Sequence, residues 1–131
     1  MIQIPQHIID SIIKQAKEEL PNEACGLLTG KDGVVQKQHT LTNIEHSPEH
    51  FSFDPKEQFA VLKEARSNGQ KIIANYHSHP ATPARPSEED KRLAFDPNVI
   101  YIIASLAGEE PVIKAFSLVD SCMQPCEIRI I

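Results

Sequence analysis

Apolar positions early in the chain recur at helical spacing. Ile8, Ile9, Ile12, Ile13 and Ala16 fall on one stripe, and Pro5 suits a first helical turn, so the pattern predicts a helix over about 5–19. Leu20-Pro21-Asn22 breaks it. Residues 23–30 then read as a strand, turning at Lys31-Asp32-Gly33 into a second strand over about 34–41, a hairpin with Glu23 at its mouth on a sheet edge. From 42 to 55 no periodicity holds, which predicts a loop ending in a short extended piece. Asp54-Pro55 opens a second helix, structural in role, with Phe59, Leu62 and Ala65 on its apolar face, and Asn68-Gly69 closes it. Residues 71–76 form a short β-branched and apolar run that predicts a strand, and 99–105, 112–118 and 127–131 predict three more. A short helix from Ser87 to Phe95 lies between them. This order predicts an α+β chain with a mixed, curved sheet between helices.

The candidate chemistry sits where the 71–76 strand ends, at His77-Ser78-His79-Pro80. Side chains two apart on a strand point the same way, so His77 and His79 can offer two imidazoles to one ion while Ser78 points elsewhere. Pro80, Pro83 and Pro86 stiffen the chain that follows, and Ser87-Glu88-Glu89-Asp90 opens the next helix. Read alone, Ser-x-x-Asp is an ordinary helix cap, and His-x-His is a pair of surface or hydrogen-bonded histidines. Together they allow Asp90 to turn back from the first helical turn as a third, anionic ligand. Three ligands of His, His, Asp type leave a fourth position open, which is the pattern of a catalytic zinc.

A hydrolytic zinc also wants a base, and Glu23 in Pro21-Asn22-Glu23-Ala24-Cys25-Gly26 is the candidate. By spacing alone it is equally a solvated carboxylate closing the charged run Lys17-Glu18-Glu19. The set as a whole, Glu23, then His77-x-His79, seven residues from Pro80 to Pro86, then Ser87 and Asp90, resembles the JAMM signature of the MPN+ metalloproteases. The resemblance covers nearly the whole chain and is strongest to short, free-standing prokaryotic members. It implies a single MPN/JAB-like domain over 1–131 with cytidine-deaminase-like architecture. It also implies one zinc held by His77, His79 and Asp90, proton handling by Glu23 and oxyanion stabilisation by Ser87. Asn75 departs from it, being polar where similar proteins carry an apolar residue.

Composition narrows the partners. At 131 residues the chain can bury a core without a structural metal, which leaves the zinc for chemistry. A formal net charge of -5 argues against nucleic acid or an anionic membrane as the main partner. Met1-Ile2-Gln3-Ile4-Pro5 has no signal-peptide pattern and no apolar run is long enough to cross a bilayer, so the expected location is the cytoplasm. Three cysteines fit a reducing compartment. Cys25 reads as a small buried hydrophobe, and Cys122 and Cys126 as flanking a turn at Pro125. His46 and His50 are spaced like a helical zinc pair, but Pro48 lies between them.

The resemblance implies hydrolysis of an amide or isopeptide bond, with a ubiquitin-like sulfur carrier ending in Gly-Gly as the expected partner and substrate. A peptidase of small peptides is the alternative among enzymes, and a metal-free MPN-type scaffold the alternative outside them. The scaffold reading calls for a broken signature, whereas all five positions are filled here. A zinc deaminase would need a P-C-x-x-C segment that the chain lacks.

Overall fold

The computed structural model describes all 131 residues. Its elements are β1 (Ile2–Ile4), α1 (Gln6–Glu18), β2 (Cys25–Lys31), β3 (Val34–Leu41), α2 (Pro55–Ser67), β4 (Lys71–His79), α3 (Glu88–Leu93), β5 (Ile100–Ser105), β6 (Val112–Val119), β7 (Cys122–Cys126) and β8 (Ile128–Ile130). They build one eight-stranded sheet in the order β7-β6-β5-β4-β2-β3-β1-β8. The pairs β4–β5, β1–β3 and β1–β8 are parallel and the rest antiparallel, so the sheet is mixed as expected.

Its curvature follows from connectivity. β7 and β8 stand at opposite edges of the sheet, yet Glu127 alone separates them in sequence. One residue spans only about 3.5 Å, so the sheet must roll until its edges approach. The Ile2 N–H donates to the Glu127 carbonyl at 3.0 Å and fixes that junction.

The two faces of the sheet take different loads. On one face Ile8, Ile9 and Ile12 of α1 pack with Ile2, Ile4, Leu28, Tyr76 and Ile102. Each buried Ile contributes roughly 1.5–3 kcal/mol, which is more than helix propensity could supply. On the other face Val61 of α2 meets Cys25, Leu27 and Leu41. Between strands, Gly26 and Tyr76 are register partners, and a Cβ on Gly26 would lie 2.2 Å from the Tyr76 hydroxyl oxygen. That hydroxyl donates to Gln15 Oε1 and accepts from Gln38 Nε2 at 3.0 Å, while Gln15 Nε2 donates to the Cys25 carbonyl at 3.0 Å. The network ties α1, β2, β3 and β4 together directly behind the His77 side of β4.

Four expectations need correction. β1 was not foreseen, since three residues before a proline carry no readable period. Cys122 and Cys126 do not flank a turn but bound strand β7, where Pro125 is tolerated because β7 is an edge strand. The buried side of α2 is Val61 and Ala65, while Phe59 is 60% exposed with the Lys63 ammonium 5.8 Å from its ring. Finally, Glu23 leads into an interior strand, because β2 lies between β3 and β4.

Candidate active site

Strand β4 runs through to His79, longer than its apolar pattern, and carries both histidines at the centre of the sheet. His77 pairs with Cys25 on β2 and Ile103 on β5, so its position is set from both sides, and His79 is held by Ser105 on the β5 side. Ser78, facing the other way, has its own task. Its hydroxyl accepts from the Ala24 N–H at 2.8 Å and its N–H donates to the Ala24 carbonyl at 3.0 Å, pinning the residue beside Glu23 to the histidine strand.

Asp90 arrives from α3 through the expected cap, and cap and site prove to be one structure. The Ser87 hydroxyl accepts from the Asp90 N–H at 3.0 Å, and the Ser87 N–H donates to Asp90 Oδ2 at 3.0 Å, closing a capping box. The same Oδ2 lies 3.2 Å from His77 Nε2 and 3.2 Å from His79 Nε2, and the two Nε2 atoms are 3.1 Å apart. Three ligand-type atoms thus form a nearly equilateral triangle. Tetrahedral zinc with bonds of about 2.0–2.1 Å requires ligand atoms about 3.3 Å apart, so the triangle matches one face of that tetrahedron. Protonation agrees. His79 Nδ1 faces the Pro83 carbonyl at 2.9 Å, which can only accept, so Nδ1 carries a proton and Nε2 is the ring atom turned towards His77 and Asp90. A set of two imidazole nitrogens and one carboxylate oxygen suits zinc.

Electrostatics reinforce the arrangement. Burial opposes ionisation of Asp90, but hydrogen bonds with His77 and His79 hold its carboxyl well below the usual range. Burial lowers His77 and keeps that ring neutral. His79 is raised, because Asp90, the Pro83 carbonyl and Glu23 together outweigh its burial. The Phe51 ring stacks on His77 at 4.4 Å between centroids, covering the imidazole from the side of the 42–54 loop.

Glu23 sits at the entry to β2, only 5% exposed. Its backbone is clamped: its N–H donates to the Ser47 carbonyl at 2.8 Å, and its carbonyl accepts from Asn43 Nδ2 at 3.0 Å. Burial pushes its carboxyl up to about 8; His79 pulls the other way, while Asp90, Glu89 and Glu49 add to the rise. The side chain therefore shares the electrostatic environment of the triangle. Asn43 also organises the aperiodic loop, donating to the His50 carbonyl at 2.9 Å and accepting from the Glu45 and Ser52 N–H groups at 3.0 and 3.3 Å.

The structure brings His77, His79 and Asp90 into contact, with Glu23 beside them and Ser87 at the cap. Ser78, Asn43 and Phe51 were not singled out by the sequence, because each acts through a partner distant in the chain. Cys25 takes the buried role expected of it: burial pushes its thiol up to about 12, which removes it as a nucleophile. His46 and His50 do not pair; His46 has a positive φ of 47°, and His50 Nδ1 meets Glu89 Oε2 at 2.5 Å, linking the loop to α3 across the cleft. From His77 and Asp90 a cavity of about 570 Å³ runs back along β4 to Ile72 and Lys71, walled by Phe51, Phe53 and Leu62 on one side and Leu93 and Phe95 on the other.

The chain is similar to known proteins. The family described as prokaryotic homologs of the JAB domain matches residues 5–119. A desampylase of Pyrococcus furiosus is 35% identical over 106 residues, covering 81% of this chain and 75% of that protein. A CysO-cysteine peptidase of Mycobacterium tuberculosis is 28% identical over 127 residues, 95% of this chain and 87% of that one. The solution structure of a Desulfitobacterium hafniense protein superposes with a TM-score of 0.90 at 47% identity, covering 99% of this chain and 92% of that one. No helix is long and apolar enough to cross a membrane. With the sheet order, the His-x-His strand and the capped aspartate in place, the chain belongs to the prokaryotic JAB-domain family and is a JAMM/MPN-type peptidase.

Proposed function

We propose that the chain is a zinc-dependent peptidase that hydrolyses the amide bond following the C-terminal Gly-Gly of a ubiquitin-like sulfur carrier, releasing an amino acid such as cysteine. The observation that carries this reading is the triangle of His77 Nε2, His79 Nε2 and Asp90 Oδ2 with sides of 3.1–3.2 Å, beside a buried glutamate. The names of two relatives, a CysO-cysteine peptidase and a desampylase, support a small carrier protein or its conjugate as substrate.

When bound, zinc supplies a Lewis acid that lowers the pKa of water and polarises the scissile carbonyl. Glu23 takes the proton of the attacking water and passes it to the amine as the carbon–nitrogen bond breaks, so no covalent enzyme adduct is needed. Burial, which pushes this carboxyl up to about 8, makes its carboxylate a stronger base towards the water's proton, and the leaving amine is more basic still and takes that proton from it. A nearby cation shifts it back towards the carboxylate that must accept. The Ser87 oxygen already accepts from the Asp90 N–H, which leaves its own proton free to donate to the developing oxyanion. The backbone clamp at Ser47, Asn43 and Ser78 keeps Glu23 in register with the histidines.

The test is incubation with a ubiquitin-like carrier ending in Gly-Gly plus one amino acid, with and without a chelator, followed by mass spectrometry. Chelator-sensitive loss of that residue supports the reading. An intact carrier alongside cleaved free peptides would replace it with a small-peptide peptidase, and a chain that binds no zinc and cuts nothing would make it a scaffold.

A further inference from the structure

The cavity floor is formed by strand residues that share a face with His77: Leu27, Ile72, Asn75, Tyr101 and Ile103. Leu27 and Ile103 are 2% and 0% exposed, and the Tyr101 hydroxyl is bound by Asp96 on both counts, accepting from its N–H at 3.0 Å and donating to its carbonyl at 2.9 Å. Asn75 is the exception. Its carboxamide makes no hydrogen bond within the chain, and it stands half-buried between its register partners Leu27 and Tyr101. No buried side-chain oxygen or nitrogen lacks a partner, so this amide opens into the cavity. For folding alone an apolar residue would serve as well here, because this carboxamide bonds to nothing within the chain.

We propose that Asn75 binds the main chain of the substrate about two residues from the scissile bond, on the acyl side, and so selects an extended tail without reading side chains. The proposal rests on the peptidase reading above. Asn75 and His77 are two residues apart on β4, about 6.7 Å along the strand, and an extended peptide covers that distance in two residues. A carboxamide offers donors and an acceptor, and a peptide unit offers one of each, so a main chain alone can satisfy it with no side chain required. That suits a glycine tail, which has no side chain to recognise. The acyl side follows from size: a single released amino acid does not need a cavity of about 570 Å³, whereas a carrier's tail does.

The test compares wild type with N75L, which keeps the shape of the side chain and removes its hydrogen bonds. Carrier substrates are used with the ordinary amide, or with an ester in place of the peptide unit two residues before the cleaved bond. Loss of one or two hydrogen bonds predicts about a tenfold fall in kcat/KM for N75L, carried by KM, with zinc content unchanged. The ester should cost wild type a similar factor and N75L little more. Equal kcat/KM in the two proteins, or ester and N75L penalties that simply multiply, would overturn the proposal. Binding of the uncleaved tail peptide to E23Q and to the E23Q/N75L double variant is measured in parallel. If wild type cuts no carrier, the reaction reading fails, and this affinity ratio still decides whether Asn75 holds a peptide main chain.

Discussion

Ser87 offers a way to separate stability from catalysis, because one hydroxyl is placed in both. As a cap its oxygen accepts from the Asp90 N–H at 3.0 Å, and as an oxyanion donor it would use its proton. Ser87→Ala removes both roles. An N-cap Ser→Ala change costs about 1 kcal/mol, whereas Gly at the same position costs only a few tenths. In a chain of this size 1 kcal/mol corresponds to a shift in Tm of about 3–5 °C. The N–H that holds Asp90 Oδ2 at 3.0 Å belongs to the Ser87 backbone, so neither substitution removes it and zinc should remain. Loss of an oxyanion donor lowers kcat by about 10²–10³. The expected pattern is that Ser87→Gly melts close to wild type and Ser87→Ala several degrees lower, while both lose turnover by the same two to three orders of magnitude. Thermal unfolding, zinc analysis and kcat on one substrate give all three numbers. A Gly variant within about threefold of wild-type kcat would refute the oxyanion role, and an Ala variant as stable as the Gly variant would refute the cap.

Other consequences are as direct. In the zinc-free chain, Glu23 has a folded pKa of about 8, above its ordinary 4.5 because of burial, so its protonated form favours the fold. Stability should therefore fall as pH rises from about 4.5 to about 8 in wild type relative to Glu23→Gln, and urea unfolding of both across that window should show the curves converging at the acid end. Asp90→Asn keeps an oxygen for the cap but removes the charge between His77 and His79, so the stabilisation on adding zinc, about 4 kcal/mol at a thousandfold excess over Kd in wild type and read as a rise in Tm, should largely vanish. Thiol reagents should label exposed Cys122 first and leave Cys25 untouched until unfolding, without loss of activity, as followed by mass spectrometry. Gly26→Ala should destabilise by about 1–3 kcal/mol in urea unfolding, since its Cβ would meet the Tyr76 hydroxyl oxygen at 2.2 Å and disturb the Gln15–Tyr76–Gln38 network.

What could be read from the sequence was local. The alternation of a strand placed His77 and His79 on one side, and a Ser-x-x-Asp cap put Asp90 in a first helical turn. The capping box turns out to be how the carboxylate is held, so the cap and the candidate ligand are one answer rather than two. The isoleucine stripe of α1 was equally plain, because a single face of a helix meets a single face of a sheet. The misreadings have the opposite origin. β7 contains Pro125 and little apolar alternation, and its existence depends on pairing with β6. The α2 face was misjudged because Phe59 is large and apolar, yet only Val61 and Ala65 of this helix are fully buried. The loop over the site has no period at all, since it is organised by Asn43 and by bonds to Glu23, His50 and Ser52 rather than by a repeating face. Contacts such as Phe51 on His77 join residues far apart in the chain, and no window of sequence displays them.

The central claim is that His77, His79 and Asp90 hold one zinc and that Glu23 moves the proton. Zinc content and turnover of purified wild type, Glu23→Gln and His77→Ala test it in one experiment. The account predicts one zinc per chain with activity in wild type, one zinc with turnover reduced at least a hundredfold in Glu23→Gln, and neither in His77→Ala. A Glu23→Gln protein with near wild-type turnover, or a wild-type protein that hydrolyses its substrate without stoichiometric metal, would contradict it.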